Sequence, residues 1–342
     1  MALLEIEDLR VHFNTRDGVV RAVDGVSLTL DRHETLGIVG ESGSGKSVTA
    51  LTVMGLTRLP NAVVEGRVLL DGVDLLALPL HELRRIRGSR VAMVFQDPMS
   101  SLHPLYKVGW QIVEAIRAHG DVPKDVARRR AVQALADVGI PSPAERMDSY
   151  PHELSGGMRQ RAMIAMALVL DPDVLIADEP TTALDVTVQA QILDVIRRLQ
   201  AERGAAVALI THDLGVVAET ADQLAVMYAG RVVERGPLAT VLDAPEHPYT
   251  WGLLQSIPRL EAGPQRLQPI AGTPPSLIHV PSGCSFHPRC PYAFALCPEI
   301  VPPLVLSQPG HDVACHLPPA KRQAIGRRLR SEDDASGGLA AG

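Results

Sequence analysis

A glycine-rich segment between residues 40 and 47 has the residue types of a phosphate-binding loop. Two glycines, Gly40 and Gly45, bracket four residues, and Lys46 and Ser47 follow. Glycines allow backbone N–H groups to turn toward a phosphate, lysine adds a positive charge at the phosphate oxygens, and a serine hydroxyl can bind Mg²⁺. A glycine-rich turn that arose by chance is the ordinary alternative. The nucleotide-binding residues predicted from this segment are Gly40, Ser42, Gly43, Ser44, Gly45, Lys46, Ser47 and Val48.

Two carboxylates follow a second apolar stretch, which runs from Val174 to Ala177. Asp178 is suited to hold Mg²⁺ through water, opposite Ser47. Glu179, one residue further along, could act as the base that polarises an attacking water. Two solvated acids at the end of a strand are the alternative. Phosphoryl transfer needs both a phosphate loop and such carboxylates, which favours the catalytic interpretation.

Short apolar runs surround both motifs and predict the elements that position them. The run Thr35 to Val39 predicts a buried strand before the glycine loop, and a helix is expected from Ser47 to Leu56. Strand, glycine turn and helix together open a nucleotide-binding α/β unit. Further strands are predicted at 91–95, 174–177 and 207–210, and an edge strand at 3–13. Helical periodicity predicts helices at 110–119, 124–138, 158–170 and 186–203.

These elements predict a division of the chain. We expect an α/β parallel-sheet core of the P-loop (RecA-like) type at 1–97 and 171–235, interrupted by an inserted helical subdomain at 98–170. After Gly236 the sequence becomes rich in proline, which marks a small C-terminal region at 236–326. This region is expected to pack separately from the core. The charged and then small residues of 327–342 predict a disordered tail.

Composition excludes several classes of function. The net charge is -6 and aromatic residues are only 3% of the 342 residues, which argues against a nucleic-acid binder. No apolar run approaches the roughly 20 residues that a membrane span needs. The N-terminus carries Glu5, Glu7 and Asp8 where a signal peptide would have basic residues. We therefore expect the chain to stay in the cytoplasm.

The segment Leu154-Ser155-Gly156-Gly157-Met158 resembles the signature sequence of the ABC ATPase family. Serine is a good helix N-cap and the glycines leave the helix terminus bare, so the segment suits an anion. The resemblance implies that it meets the γ-phosphate held by a second subunit, in a head-to-tail dimer with two ATP molecules between the subunits. Glutamine is usual at the fifth position, where this sequence has Met158.

Other family motifs follow in the expected order. Gln96 resembles the Q-loop glutamine, which senses Mg²⁺ and the membrane partner. Asp185, in the run from Ala183, resembles the D-loop at the dimer seam, and His212 resembles the switch histidine at the γ-phosphate. By resemblance, Ser47, Gln96 and Asp178 bind Mg²⁺. Phe13 is the candidate for the aromatic residue that stacks on adenine.

Several stretches resemble the oligopeptide and dipeptide importer branch in particular. They are residues 95–104, the methionine of the signature, residues 247–250 and residues 272–297. Importers of nickel and glutathione share much of this pattern. The resemblance implies an ATPase that drives peptide uptake from the cytoplasmic face of the inner membrane. Its implied partners are a paralogous ATPase subunit, two permeases and an extracytoplasmic solute-binding protein, with no nucleic acid.

Two other classes of function compete with a transport motor. A soluble ABC ATPase of DNA repair or translation would carry a long coiled coil or two cassettes, and this sequence has neither. A binding module with an inactive site would have lost catalytic residues. Lys46, Asp178, Glu179 and His212 are all in place.

All 4 cysteines lie between Cys284 and Cys315. Intervals of 5, 6 and 17 residues separate Cys284, Cys290, Cys297 and Cys315. Disulfides are rare in the cytosol, and the spacings are wider than those usual for a zinc pair. Free thiols in a small core remain an alternative, and zinc is another. The family resemblance implies a 4Fe–4S cluster on all four cysteines, which would act as a structural staple.

Overall fold

The computed structural model describes residues 2–180, 186–256 and 270–337, which form two β-sheets with helices packed on them. The strands of these residues are β1 (Leu4–Thr15), β2 (Gly18–Leu30), β3 (Thr35–Val39), β4 (Ala62–Leu70), β5 (Val73–Asp74), β6 (Val91–Val94), β7 (Val174–Asp178), β8 (Ala206–Ile210), β9 (Gln223–Tyr228), β10 (Arg231–Pro237), β11 (Val305–Gln308) and β12 (His311–Val313). The helices are α1 (Lys46–Val53), α2 (Leu80–Ile86), α3 (Pro98–Ser101), α4 (Val108–Ala118), α5 (Lys124–Asp137), α6 (Pro143–Arg146), α7 (Gly156–Leu168), α8 (Val186–Arg203), α9 (Leu214–Thr220), α10 (Leu238–Asp243), α11 (Pro248–Gln255) and α12 (Pro319–Gly337). Two 3₁₀ turns lie at Pro151–Glu153 and His287–Arg289.

The larger sheet has the strand order β11-β12-β10-β9-β3-β8-β7-β6. Strands β6, β7, β8, β3 and β9 run parallel to one another, and β10 pairs antiparallel with β9. Every residue of β3, β7 and β8 is buried, as expected for strands covered on both faces. This arrangement confirms the predicted α/β parallel-sheet core with an inserted helical subdomain.

The smaller sheet is antiparallel, in the order β2-β1-β4-β5. The prediction that the first strand lies at a sheet edge is wrong, because β1 pairs with β2 on one side and with β4 on the other. Alternating burial shows which face of a strand is covered, but it does not say how many neighbours the strand has. Ala50 and Val53 of α1 share an apolar cluster with residues of both sheets, so this helix is held between them.

The helices α3 to α7 form a layer on the β6 side of the large sheet. Their core contains Ile112, Ala131 and Ile164, and it is continuous with Leu175 and Leu209 on the outer face of the sheet. Helix α7 begins at Gly156, two residues before the predicted start, because the Ser155 side chain accepts a hydrogen bond from the backbone of Met158. The exact domain boundaries remain a prediction.

The C-terminal region shares a sheet and an apolar core with the rest of the chain. Strand β12 pairs antiparallel with β10 through Glu234 and Arg235. Tyr249 and Phe286 pack in one cluster with Val39 at the end of β3. The expectation of separate packing is therefore wrong for these residues, since β12 supplies hydrogen bonds that a local sequence pattern cannot assign to a distant strand.

The chain end differs from its prediction as well. Disorder was predicted from Arg327, but α12 continues to Gly337, and residues 338–342 lie outside the described part. Arginine, leucine and glutamate have good helix propensity, and Ile325 packs with Trp251. Among the described residues, no helix combines the length and the apolar character that crossing a bilayer would require.

A buried polar network fastens the C-terminal elements to one another. Glu246 has no exposed surface, and its carboxylate accepts four hydrogen bonds. The donors are Ser307 Oγ at 2.6 Å, Gln308 Nε2 at 2.8 Å, Arg322 Nε at 2.9 Å and Gln323 Nε2 at 3.1 Å. Burial alone would raise the pKa of Glu246, but these hydrogen bonds together bring it below its ordinary value.

Replacing Glu246 with alanine should lower the free energy of unfolding by about 3–5 kcal/mol, because Arg322 is left as a buried charge without its carboxylate. Urea unfolding followed by circular dichroism would measure the change. Asp125→Ala is the control, since that carboxylate is exposed and pairs with Arg129 on the same helix. Equal and small effects of the two substitutions would contradict the assigned role of the network.

Candidate functional site

The phosphate-loop segment joins the end of β3 to the start of α1, and its two bracketing glycines lie against other backbone. A Cβ on Gly40 would lie 2.1 Å from the carbonyl oxygen of Met227. A Cβ on Gly45 would lie 2.4 Å from the carbonyl oxygen of Ala22, and Gly45 also has a φ of 103°. Only glycine fits at these positions. The spacing of Gly40 and Gly45 in the sequence is therefore dictated by close backbone packing as well as by the ligand.

Lys46 is folded into this loop. Its Nζ donates hydrogen bonds to the carbonyl oxygens of Gly40 at 2.7 Å and Glu41 at 2.9 Å, and to Ser44 Oγ at 3.3 Å. Burial lowers the pKa of Lys46, and the nearby carboxylates, Glu179 first among them, oppose that shift. The amine therefore lies among acceptors at the N-terminus of α1, where a phosphate would also meet free backbone N–H groups. Ser42, Gly43 and Val48 complete the segment, and a Cβ on Gly43 would meet no atom within 4 Å.

Ser47 and Asp178 meet across the site. The Ser47 hydroxyl donates to Asp178 Oδ1 at 3.1 Å, which joins α1 to the end of β7. Burial raises the pKa of Asp178 and the charge of Glu179 adds to the rise, whereas Ser47 and Lys46 lower it. A hydroxyl and a carboxylate are hard oxygen ligands, and a divalent cation beside them would favour the ionised carboxylate. These residues therefore fit the predicted Mg²⁺ site.

Glu179 lies at the centre of a second set of contacts. Its Oε2 accepts a hydrogen bond from Gln96 Nε2 at 2.9 Å, and its Oε1 lies 3.2 Å from His212 Nδ1. Gln96, Glu179 and His212 follow β6, β7 and β8, which are adjacent parallel strands. Their carboxyl ends meet at one edge of the sheet, so three residues far apart in sequence become neighbours.

The backbone at Glu179 has a φ of 49°, which is uncommon for a residue with a side chain. Its N–H donates to the carbonyl of Ile210 at 2.8 Å, which holds the residue in this conformation. Strained backbone at such a position is typical of functional sites. In this conformation the carboxylate contacts Gln96 and His212.

The signature segment is placed differently from the phosphate loop. Leu154 is buried, Ser155 and Gly156 are exposed, and Gly157 and Met158 are half-buried. A Cβ on Gly156 would meet no atom within 4 Å, so the N-terminus of α7 is open to solvent. Gln160 connects this helix to the segment after β7. Its Nε2 donates a hydrogen bond at 2.6 Å to the carbonyl of Pro180, the residue that follows Glu179.

Two predicted residues remain less defined. Phe13 is half-buried in β1 and lies opposite Val20 of β2, two residues before Ala22, whose carbonyl touches the phosphate loop. Its hairpin therefore borders the loop, while stacking on adenine stays a prediction. Asp185 and the rest of the predicted D-loop lie outside the described residues.

The four cysteines lie close enough to influence one another. The backbone N–H of Cys284 donates to the carbonyl of Cys297 at 2.7 Å. Burial raises the pKa of Cys290 to about 12 and of Cys315 to about 11, and Cys284 and Cys297 add to both rises. All four are free thiols.

No group of three or more His, Cys, Asp or Glu side chains in the described ranges is arranged to hold a metal ion. The predicted cluster, and the zinc that is its alternative, therefore gain no support from the side-chain arrangement.

Contacts to Glu41 are the feature that the sequence did not predict. The Glu41 carboxylate pairs with Arg289, which comes 248 positions later, and the Glu41 N–H donates to Tyr249 Oη at 2.8 Å. The negative charge of Glu41 inside a phosphate-binding segment was the available signal, because it calls for a compensating cation. Nothing in the spacing could identify Arg289 as that cation.

Comparisons with known proteins agree with this geometry. Residues 23–182 match the family described as ABC transporter. Residues 233–297 match the family described as Oligopeptide/dipeptide transporter, C-terminal region. The dipeptide transport ATP-binding protein DppD of Bacillus subtilis is 50% identical over 316 residues, which cover 92% of this chain and 94% of that protein. The oligopeptide transport ATP-binding protein OppD of Escherichia coli is 50% identical over 317 residues, covering 93% and 94%.

Solved structures show the same fold. A bacterial ABC transporter cassette, solved as a dimer, superimposes with a TM-score of 0.63 at 27% identity. The match covers 69% of this chain and 98% of the cassette. The protein cbiO1 of Clostridium perfringens, part of the ABC transporter complex cbiONQ, gives a TM-score of 0.58 at 30% identity, and the match covers 70% of this chain and 90% of that protein.

Glu179→Gln should lower steady-state ATP hydrolysis by about 10²–10⁴-fold, because glutamine keeps the shape of the side chain but cannot accept a proton. Binding of a fluorescent ATP analogue should be retained. Phosphate release gives the rate, with any second ATPase subunit in the assembly inactivated in the same way. Asp173→Asn is the control, since Asp173 lies just before the other end of β7 and pairs with Arg90. Near-normal turnover of Glu179→Gln would show that the base is a different residue.

Proposed function

This chain belongs to the ABC transporter ATPase family, and from that premise we propose how it drives the import of peptides. The family and the peptide-importer relatives make it an ATP-hydrolysing subunit of a peptide importer. The observation that carries the mechanism is the convergence of Gln96, Glu179 and His212 beside the Ser47–Asp178 pair. This set of residues contains each part that phosphoryl transfer to water requires.

In the proposed mechanism, the backbone of residues 40–45 and the N-terminus of α1 receive the β-phosphate, and Lys46 moves its ammonium onto the β- and γ-oxygens. Ser47 and Asp178 would hold Mg²⁺, and the bound ion would supply positive charge to offset the charge that develops on the phosphate oxygens. Glu179 takes a proton from the attacking water. Gln96 and His212 orient the Glu179 carboxylate through the contacts described above, and His212 also meets the γ-phosphate.

Two such subunits are proposed to close head to tail. Ser155 and Gly156 are exposed at the open N-terminus of α7, so they are available to a phosphate that the partner subunit holds. The similar cassette, which was solved as a dimer, supports pairing of two such subunits. The partner is proposed to be a paralogous ATPase, with Asp185 at the seam between the two.

An exposed apolar patch supports docking on membrane permeases. Met99, Leu105, Tyr106 and Trp110 are all exposed, and Leu105 has 76% of its surface free. The rings of Tyr106 and Trp110 stack with their centroids 4.3 Å apart. The patch follows Gln96 in the chain, and Arg159 of α7 contacts Met99, so the patch is connected to both the catalytic site and the signature helix. Large exposed apolar groups of this kind mark interaction sites.

The proposal places the protein at the cytoplasmic face of the inner membrane, with two permeases and an extracytoplasmic solute-binding protein as partners. Peptide cargo is supported by relatives that are named for dipeptide and oligopeptide transport. Nickel, glutathione or another small solute is the alternative cargo for the same motor. A soluble ABC ATPase is disfavoured, because the sequence carries one cassette and no long coiled coil.

We further propose that the four cysteines hold a 4Fe–4S cluster, with zinc as the alternative. The proposal is supported by the family resemblance of residues 272–297 and by the backbone hydrogen bond from Cys284 N–H to the carbonyl of Cys297 at 2.7 Å, which brings two of the four residues together. All four thiols are at least half-buried in one region, so solvent hydrates them little. A bound cluster would add its charge to the site and favour the thiolate form of each ligand.

Anaerobically purified protein should be brown, with broad absorbance near about 400 nm, and it should contain about four irons and four sulfides per chain. Cys290→Ser should destabilise the region after Gly236, because ligation there supplies folding free energy. Iron, zinc and sulfide analysis with thermal unfolding would test both points. A colourless protein that holds one zinc would reject the cluster, and a metal-free protein with unchanged stability in Cys290→Ser would reject both metals.

Ser155→Arg tests the head-to-tail dimer and the transport function together. ATP binding by the isolated chain should be unchanged, because Ser155 serves the nucleotide of the partner. In the assembled importer, ATP hydrolysis and uptake of a labelled dipeptide into proteoliposomes should be lost, since the arginine fills the open α7 terminus. Arg129→Ala, on an exposed face of α5, is the control. Loss of ATP binding by the isolated chain would contradict the composite site, and a wild-type importer without dipeptide uptake would contradict the cargo.

A further inference from the structure

The phosphate-loop segment is held from outside by two residues of the C-terminal region. The Arg289 guanidinium donates two hydrogen bonds to the Glu41 carboxylate, Nη1 to Oε2 at 2.6 Å and Nη2 to Oε1 at 3.0 Å. Tyr249 Oη accepts the hydrogen bond of the Glu41 backbone N–H at 2.8 Å. Both the side chain and the backbone of one loop residue are therefore fixed by elements that follow the ATPase core in sequence.

Arg289 is itself rigidly placed. Its remaining donors reach the carbonyl oxygens of Ala271 at 2.9 Å and Ile270 at 3.3 Å, and the Tyr228 hydroxyl at 3.3 Å. The side chain is only 6% exposed. A planar guanidinium bound on both sides in this way loses little freedom when it pairs with a carboxylate. Arg289 therefore acts as a fixed anchor point for Glu41.

Glu41 connects Arg289 to the catalytic Lys46. Its carbonyl oxygen accepts a hydrogen bond from Lys46 Nζ, and so does that of the preceding Gly40. A shift of Glu41 would therefore move the acceptors that place the Lys46 ammonium. The ion pair also neutralises a negative charge that would otherwise repel the phosphates of ATP. The position of the Lys46 ammonium and the neutralisation of the Glu41 charge therefore both depend on the Arg289–Glu41 ion pair.

We propose that Arg289 is a positioning residue of the ATP site, which acts through Glu41 and links ATP affinity to the C-terminal region. Arg289 closes the 3₁₀ turn at His287–Arg289 and directly precedes Cys290, so the link reaches the cysteine-bearing segment. The inference rests on the proposed ATPase function. It also reverses the expectation that the C-terminal region packs separately from the core.

The test uses the full chain and the assembled importer. Arg289→Met should raise the KM for ATP by about tenfold, the size of coupling within one ion-pair network, with less than about threefold change in kcat at saturating ATP. Arg289→Lys should recover part of the loss, because it restores the charge without the two-pronged contact. Arg235→Met is the matched control. It breaks a pair with Asp312 that also joins β10 to the C-terminal region but does not touch the loop.

A double-mutant cycle separates positioning from general loosening. Glu41→Gln breaks the same contact but leaves no unpaired negative charge, so it should weaken ATP binding less than Arg289→Met, and the double variant should be no worse than Arg289→Met. Additive losses, or an equal rise in KM for Arg235→Met, would overturn the proposal. If Arg289→Met does not fold, Glu41→Gln alone carries the test, and unchanged ATP affinity in that variant would overturn it as well.

The result also distinguishes this inference from the function on which it rests. Wild-type protein that neither binds nor hydrolyses ATP would refute the proposed function. Wild-type protein that does both, with Arg289→Met indistinguishable from it in KM, would refute only the role of Arg289. Equilibrium binding of a fluorescent ATP analogue to the isolated chain gives the affinity without any contribution from dimer closure.

Discussion

The close approach of backbone at the phosphate loop is the constraint on which the rest of the structure depends. Gly40 lies against the carbonyl of Met227 in β9, and Gly45 lies against the carbonyl of Ala22 in β2. The Ser44 carbonyl accepts a hydrogen bond from Gly230 N–H at 2.9 Å, which adds a third contact. The loop is thus held between the parallel and the antiparallel sheet, and neither sheet can shift without moving the α1 terminus that receives the phosphate.

The proposed catalytic groups depend on the same parallel sheet, because its strands end at one edge. Burial disfavours the charged form of both residues, so it lowers the pKa of Lys46 and raises the pKa of Asp178. Their mutual attraction and the Ser47 hydroxyl offset part of these shifts. Glu179 stays more accessible than Asp178, since its contacts, Gln96 and His212, come from loops after the strands. This difference in accessibility fits the proposed roles, with the buried Asp178 as the metal-binding acid and the more accessible Glu179 as the base that meets water.

The C-terminal region completes the sheet and fixes the loop. Glu234 of β10 is fully buried and accepts hydrogen bonds from the backbone N–H groups of Glu246 and His247 and from His311 Nε2 at 2.8 Å. This network binds β12 and the start of α11 to the core. Tyr249 of α11 and Arg289 then reach Glu41. The C-terminal region differs in composition from the core, but its contacts with Glu41 help to hold the phosphate loop in place.

The sequence alone determined the chemistry and the order of the elements. Glycine, lysine, carboxylate and signature motifs keep fixed local spacings because the loops and caps they form are local, and the apolar runs of β3, β7 and β8 follow from burial on both faces. Tertiary structure decided what meets across long separations. It placed β1 inside a sheet, it joined β12 to β10, and it brought Arg289 to Glu41 across 248 positions. Hydrogen bonds between strands and ion pairs between distant segments depend on the folded path of the chain, and no local pattern carries that information.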